Sequence, residues 1–322
     1  MQTTWAWIPS GACRLEQPAG LMRLEGPDAL RVLHGQTSAS IEGAQAGSWI
    51  PTCCITATAR LRALAEVLVD GTGAWLLVGR GDPAAVHQAI DRVLFPADRA
   101  SLGPLQAVRW ITPLGDGQEQ LASSAPGSWQ PCGEGEEGGW QLGNTLVLPL
   151  ELPLPPELAQ RRPLEAGEAE RWRIQQGLPA APGELNDDHN PFELGLAGRV
   201  GLSKGCYVGQ ETLAKLATYD GVKQQLRRWH WRRRGGEPAP QLGQELVRTA
   251  LDGDSPEGRL GRITSMLELA DGEWIGLAMV RRAALDAPRL QAGAATETGA
   301  AQLSLSLPEQ FAAPPVGAGG GS

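Results

Sequence analysis

Lysine is almost missing from this 322-residue chain. It occurs three times, at Lys204, Lys215 and Lys223, and arginine carries the rest of the basic charge. Arginine suits bidentate capture of carboxylates, whereas lysine offers a mobile point charge. An arginine-favouring composition explains the excess, but not why the three lysines crowd into one short segment. Cysteine is scarce as well. Cys13, Cys53, Cys54, Cys132 and Cys206 are odd in number and contain no CxxC pair, so zinc-site spacing is missing, and a chain of this length needs no disulfide to stand. Such usage fits a reducing compartment. No apolar run reaches the roughly 18 residues of a membrane span. The first residues lack a basic segment followed by an apolar one, so no signal peptide is expected, and the cytoplasm is the expected location. Positive charge is in deficit, with a formal net charge of −8. That balance argues against non-specific nucleic-acid binding.

What is abundant is glycine and proline, 42 and 25 residues, the mark of many turns between short strands. The length suggests two domains or three. Residues 21–34, "LMRLEGPDALRVLH", read as strand, turn at Gly26 and helix, with Gly35 as its stop. Residues 61–69 and 74–79 read as a hairpin around "DGTG". "GDPAAVHQAIDRVLF" predicts a helix capped by Asp82, with Val86, Ala89, Ile90, Val93 and Leu94 on one face. Residues 115–145 are rich in Gly, Glu and Ser and read as a variable hairpin insert. A proline-rich connector leads to a helix over "LEAGEAERWRIQQG", ended by Gly177. From Val222 onward, short alternating runs predict an antiparallel β-barrel of five or six strands. The expected domains are 1–218 and 219–308, followed by a flexible tail over 309–322. The Arg-rich strand from Arg227 to Arg234 reads either as an RNA-contacting strand or, more commonly for such a pattern, as a solvated barrel edge blunted by charge. The eleven tryptophans are expected mostly as core.

One segment concentrates chemistry. Lys204-Gly205-Cys206-Tyr207-Val208-Gly209-Gln210-Glu211 precedes a predicted helix, "GQETLAKLAT". Leu213, Leu216 and Ala217 would face inward, and Glu211 would lie in the first turn, where the helix dipole favours negative charge. Gly205 and Gly209 would let the backbone turn tightly and approach a ligand. Helix amides and Lys204 beside Cys206 would favour the thiolate. The residues alone leave a second reading open, a helix-entry loop whose cysteine is a small buried hydrophobe. No second Cys or His lies at ligand spacing, so no metal site is expected within the segment. His189, in "NDDHNP", reads as a solvated turn residue.

These eight residues resemble the signature of the YgfZ family, folate-binding proteins related to the T-protein (aminomethyltransferase) of the glycine cleavage system. "LEGPDALRVLHGQTSASI" is similar to that family's N-terminal segment. "RWRIQQGLPAAPGELNDDHNPFELGL" resembles the stretch before the signature, and "GRLGRITSM" with "WIGLAMV" resembles paired barrel strands. The resemblance spans residues 20 to about 282 and skips 115–145. It implies an α+β fold in which two interleaved subdomains form a central channel, with a C-terminal antiparallel β-barrel. It implies tetrahydrofolate or a derivative as cofactor. It implies a role in assembly or repair of iron–sulfur clusters, including those of tRNA-thiolating enzymes, with iron–sulfur proteins or their assembly factors as partners. Cys206 would be the working thiol, in redox exchange or transient cluster contact. Lys204 and Arg173 would engage the folate tail or pterin. Gly205, Tyr207, Gly209, Gln210, Glu211 and Gln175 complete the expected folate-binding set.

Two positions depart from the T-protein pattern. Its catalytic Asp falls where this chain has Arg60-Leu61-Arg62-Ala63-Leu64, with no carboxylate before Glu66. Its pterin-binding Glu falls at Gln175, an amide that can hydrogen-bond but supplies no charge. Aminomethyl transfer needs acid–base help at the folate amine, so both losses argue against that reaction. The competing reading is a non-enzymatic folate scaffold or sensor.

Overall fold

The computed structural model describes residues 2–118, 123–133, 138–248, 258–270, 272–293 and 299–316. The parts of the predicted insert at 119–122 and 134–137, and of the predicted tail at 317–322, lie outside the described residues.

The chain divides into two compact units. The first comprises Met1–Ala166 and Arg199–Gln210, the second Gly167–Gly198 and Glu211–Ser322. The chain thus crosses between units more often than a single cut at residue 218 would require, and the signature segment itself is split between Gln210 and Glu211.

The first unit is built on a ten-stranded sheet. Its strands are β1 (Ala12–Glu25), β2 (Trp49–Ile55), β3 (Leu61–Val69), β4 (Gly73–Gly81), β5 (Ser101–Leu102), β6 (Gln106–Gly115), β7 (Trp129–Cys132), β8 (Gly139–Leu142), β9 (Thr145–Pro149) and β10 (Arg162–Pro163). The main order is β2-β3-β4-β1-β6-β9-β8-β7, with β5 and β10 also pairing β1. The predicted hairpin is β3–β4, paired Val69 to Ala74 at its turn. Because side chains alternate across a strand, the two faces of the sheet carry separate cores, and a smaller cluster gathers Ile111, Leu146 and Leu148 with Leu158. On one face Met22, Leu24, Val67, Leu76 and Val78 cluster with Leu33, Val86 and Ile90. On the other, Leu21, Leu68, Leu77 and Val108 cluster with Trp49, Trp75, Trp110, Trp129 and Trp140. Trp75 and Trp140 meet edge to face at 5.1 Å. Five tryptophans are therefore core of the sheet, including two from the predicted insert.

Among the described residues of the first unit, four helices precede α5: α1 (Gln2–Trp5), α2 (Ala29–Gln36), α3 (Pro83–Asp91) and a short α4 (Pro156–Ala159) that closes the proline-rich connector. Asp82 caps α3 by accepting from the Ala84 and Ala85 amides, a cap worth about 1 kcal/mol. The helix stops before Val93 and Leu94, which were expected on its face. Asp28 precedes α2 but makes no side-chain cap there. Its carboxylate is engaged by the Arg99 guanidinium and amide instead.

The second unit holds a closed barrel of β11 (Gln224–Arg232), β12 (Glu245–Val247), β13 (Gly261–Glu268), β14 (Glu273–Arg281), β15 (Arg289–Ala292) and β16 (Gln302–Ser306). Trp229, Ile263, Ala278, Leu290 and Leu303 fill it. Closure removes the edge predicted for the Arg-rich strand: β11 pairs with both β14 and β16. Arg227 is buried, with its guanidinium 5.4 Å from the Phe311 ring centroid. The first residues of the predicted flexible tail are likewise packed. Ala312 bridges Leu196, and Phe311 lies against Gly195, where a Cβ would fall 2.2 Å from the ring. Two helices complete the chain, α5 (Ala166–Gln176) and α6 (Gln210–Thr218). Leu213 and Ala217 of α6 are buried as predicted. Among the described residues, no helix is long and apolar enough to cross a membrane.

Candidate functional site

The signature loop runs from Lys204 into the start of α6. Its burial alternates in a telling way: Lys204 and Tyr207 are buried, Gly205 and Cys206 between them are exposed. Cys206 is the one exposed cysteine among the described residues; Cys13, Cys53 and Cys54 are buried and Cys132 is half-buried. Burial pushes the Cys53 thiol up to about 11 and the Cys54 thiol to about 12, so both are inert at neutral pH. The reading of Cys206 as a small buried hydrophobe is thereby corrected.

Lys204 does not hold its charge toward a ligand. Its Nζ donates to the carbonyls of His34 at 2.5 Å, Thr37 at 2.7 Å and Ala39 at 2.6 Å. These carbonyls surround the C-terminal end of α2, where backbone acceptors lack helical partners and a cation is favoured. Burial pushes the Lys204 pKa down to about 7, while three carbonyls at ammonium distance oppose that shift by matching its three N–H donors. The same Nζ lies 4.2 Å from the centroid of the Tyr207 ring. The Tyr207 ring is core; its hydroxyl is buried with no hydrogen-bond partner among the described residues, and burial pushes its pKa up to about 12.

The far end of the loop is pinned too. The Val208 amide donates to Gly35 O at 3.0 Å. Gly209 has φ +79°, and a Cβ there would fall 2.7 Å from Thr56 O. The close approach predicted for Gly209 is therefore to the β2–β3 turn, not to a ligand. The Gln210 amide closes the loop onto Lys204 O at 3.2 Å. Glu211 does lie in the first turn of α6, but it is exposed and paired with Lys215 at 2.6 Å.

One neighbour escaped the sequence reading. His34 is buried, and its Nδ1 accepts from the amides of Ile41 and Glu42, both at 3.1 Å. That fixes the proton on Nε2. Nε2 is the nearest atom to a Cβ built on Gly205, at 3.8 Å, so it faces the residue before Cys206. Burial and, next, Lys204 hold its pKa down. The only signal in the sequence was its position at the end of the predicted helix.

Arg173 and Gln175 lie on α5, in the second unit. All five guanidinium donors of Arg173 are engaged: Nε and Nη2 on Glu170 at 2.7 and 2.6 Å, Nη1 on Leu178 O at 2.7 Å and on Glu184 at 3.4 Å, and Nη2 on Ser265 at 2.8 Å. Gln175 is buried, and its backbone carbonyl accepts from the Arg228 guanidinium at 2.9 Å. His189, expected as a solvated turn residue, is buried beside Gln224.

Lys204 and Arg173, expected to engage the folate tail or pterin, spend their donors within the chain: Lys204 on three backbone carbonyls, Arg173 on Glu170, Glu184, Ser265 and Leu178 O. Gln175 carries a side-chain amide, a group type that can hydrogen-bond a pterin edge. Glu66, the first carboxylate after the departed Asp position, is buried and held by Arg199 at 2.9 Å and the Trp49 indole at 2.7 Å. Among the described residues, no three His, Cys, Asp or Glu side chains group to hold a metal ion.

No family model matches the chain. Among solved structures, it is similar to the glycine cleavage system aminomethyltransferase T of Bartonella henselae, with a TM-score of 0.70 over 98% of this chain and 90% of that one. The fold is that of aminomethyltransferase T. At 13% identity the likeness is one of fold alone. A chloroplastic protein of Arabidopsis thaliana, named as a proposed transferase, is 54% identical over 57 residues. That stretch is 18% of this chain and spans 13% of the length of that relative.

Proposed function

We propose that this chain is a YgfZ-type folate-binding protein that supports the assembly or repair of iron–sulfur clusters, including those of tRNA-modifying enzymes, with Cys206 as its working thiol. The observation that carries the reading is the one exposed cysteine, held on a loop pinned at both ends. Thiolate sulfur is a suitable iron ligand, but one cysteine cannot hold a cluster, so a client or assembly factor supplies the other ligands. Folate binding rests here on the fold and on Gln175, not on Lys204 or Arg173.

Aminomethyl transfer has no evident acid–base group: Arg60 to Ala65 lacks a carboxylate, Glu66 is buried in its own ion pair, and Gln175 is neutral. The second reading is a folate scaffold or sensor with an incidental thiol. It is favoured by the carbonyl cluster on Lys204, which gives the loop a packing role that does not need the thiol. Cells lacking the protein separate the two readings. Wild-type chain is expected to restore iron–sulfur enzyme activity and tRNA thiolation, and Cys206→Ala, at equal abundance, is not. Full restoration by Cys206→Ala would leave the scaffold reading.

A further inference from the structure

An arginine-rich chain keeps a lysine at 204, and the geometry explains the choice. Three carbonyls converge on one point, and a tetrahedral ammonium offers three donors to a point, whereas a guanidinium spreads five across a plane. The acceptors lie 165 to 170 residues away in sequence, so this contact fixes the loop to a distant element. Val208 and Gly209 fix its other end on Gly35 and the Thr56 turn. Between the pins only Gly205 and Cys206 are exposed.

We infer that Lys204 is the positioning residue of this loop: its ammonium clamps Gly205–Val208 onto the end of α2 and so holds the Cys206 sulfur facing solvent. The groups around the clamp are His34 on α2, Glu42 beyond it, Cys53 on β2, and Tyr207 on the loop itself. The inference deepens the assignment of Cys206 as the working thiol and rests on it for its biological meaning, but not for its test.

The full-length protein labelled with ¹⁵N-lysine has three ammonium groups to observe. At pH 6 the clamp predicts one ammonium signal whose protons exchange slowly, lost in Lys204→Met, while Lys215 and Lys223 exchange fast. Hydrogen exchange then reads the loop. In Lys204→Met, amides of 205–209 and 36–39 are expected to exchange about tenfold faster, with the barrel unchanged. Lys204→Arg keeps the charge and should recover part of that protection. Cys206 alkylation by iodoacetamide should change in rate in the Met variant and return toward wild type in the Arg variant. A fast-exchanging Lys204 ammonium in the wild type would overturn the inference even if Lys204→Met fails to fold. Unchanged loop exchange in a folded Lys204→Met would overturn it as well. Neither readout depends on cluster chemistry, so the clamp and the Cys206 function can fail separately.

Discussion

Tyr207 is a sharp case of what one residue's surroundings dictate. Its hydroxyl is buried without a partner among the described residues, which costs stability that a phenyl ring would not. Tyr207→Phe is therefore expected to match or exceed the wild type in urea midpoint. The same burial sets a pH dependence. The folded phenol holds its proton to about 12, whereas an unfolded tyrosine releases it near pH 10. The resulting stability is fully present below pH 10 and is lost as pH rises toward 12, on the order of 2–3 kcal/mol. Absorbance titration checks this directly, because Tyr219 is the only other tyrosine. A late tyrosinate step near pH 12, absent in Tyr207→Phe, is the expected record; a single step near pH 10 would contradict it. At this scale the sequence was legible in part. Gly209 announces a turn that only glycine tolerates, and Glu211 announces a first helical turn. The task of Lys204 was hidden, because its three acceptors are backbone atoms that no residue identity advertises.

At the scale of elements, regular patterns were legible and polar networks were not. Alternating runs gave the barrel strands, and Asp82-Pro83 gave the start of α3, because both follow from local geometry. The closure of β11 between β14 and β16 depends on distant pairing, so its arginines looked like an exposed edge. Arg173 on α5 shows the same limit. It meets Glu184 in the following loop and Ser265 at the irregularity in β13. Gly183 lies against that irregularity, where a Cβ would fall 2.3 Å from Thr264 O. Removing the guanidinium strands Glu184, which is fully buried. Arg173→Met should therefore destabilise by about 3–5 kcal/mol, read as a lower urea midpoint. A loss below about 1 kcal/mol would mean that Arg173 is exposed and free to meet a ligand.

For the whole molecule, two compact units share one chain that passes between them at Gly167, Arg199 and Glu211. A linear reading of domain boundaries misses such exchange because composition does not shift at those points. The fold is that of aminomethyltransferase T, while Arg60 to Ala65 hold no carboxylate and position 175 carries an amide. We propose that this scaffold binds folate without Lys204 or Arg173 as its anchor. Calorimetric titration of the purified, reduced, full-length protein with tetrahydrofolate and 5-formyltetrahydrofolate tests it most directly. Saturable binding in the micromolar range, weakened by Gln175→Ala, is the predicted result; absence of heat at millimolar ligand would contradict it.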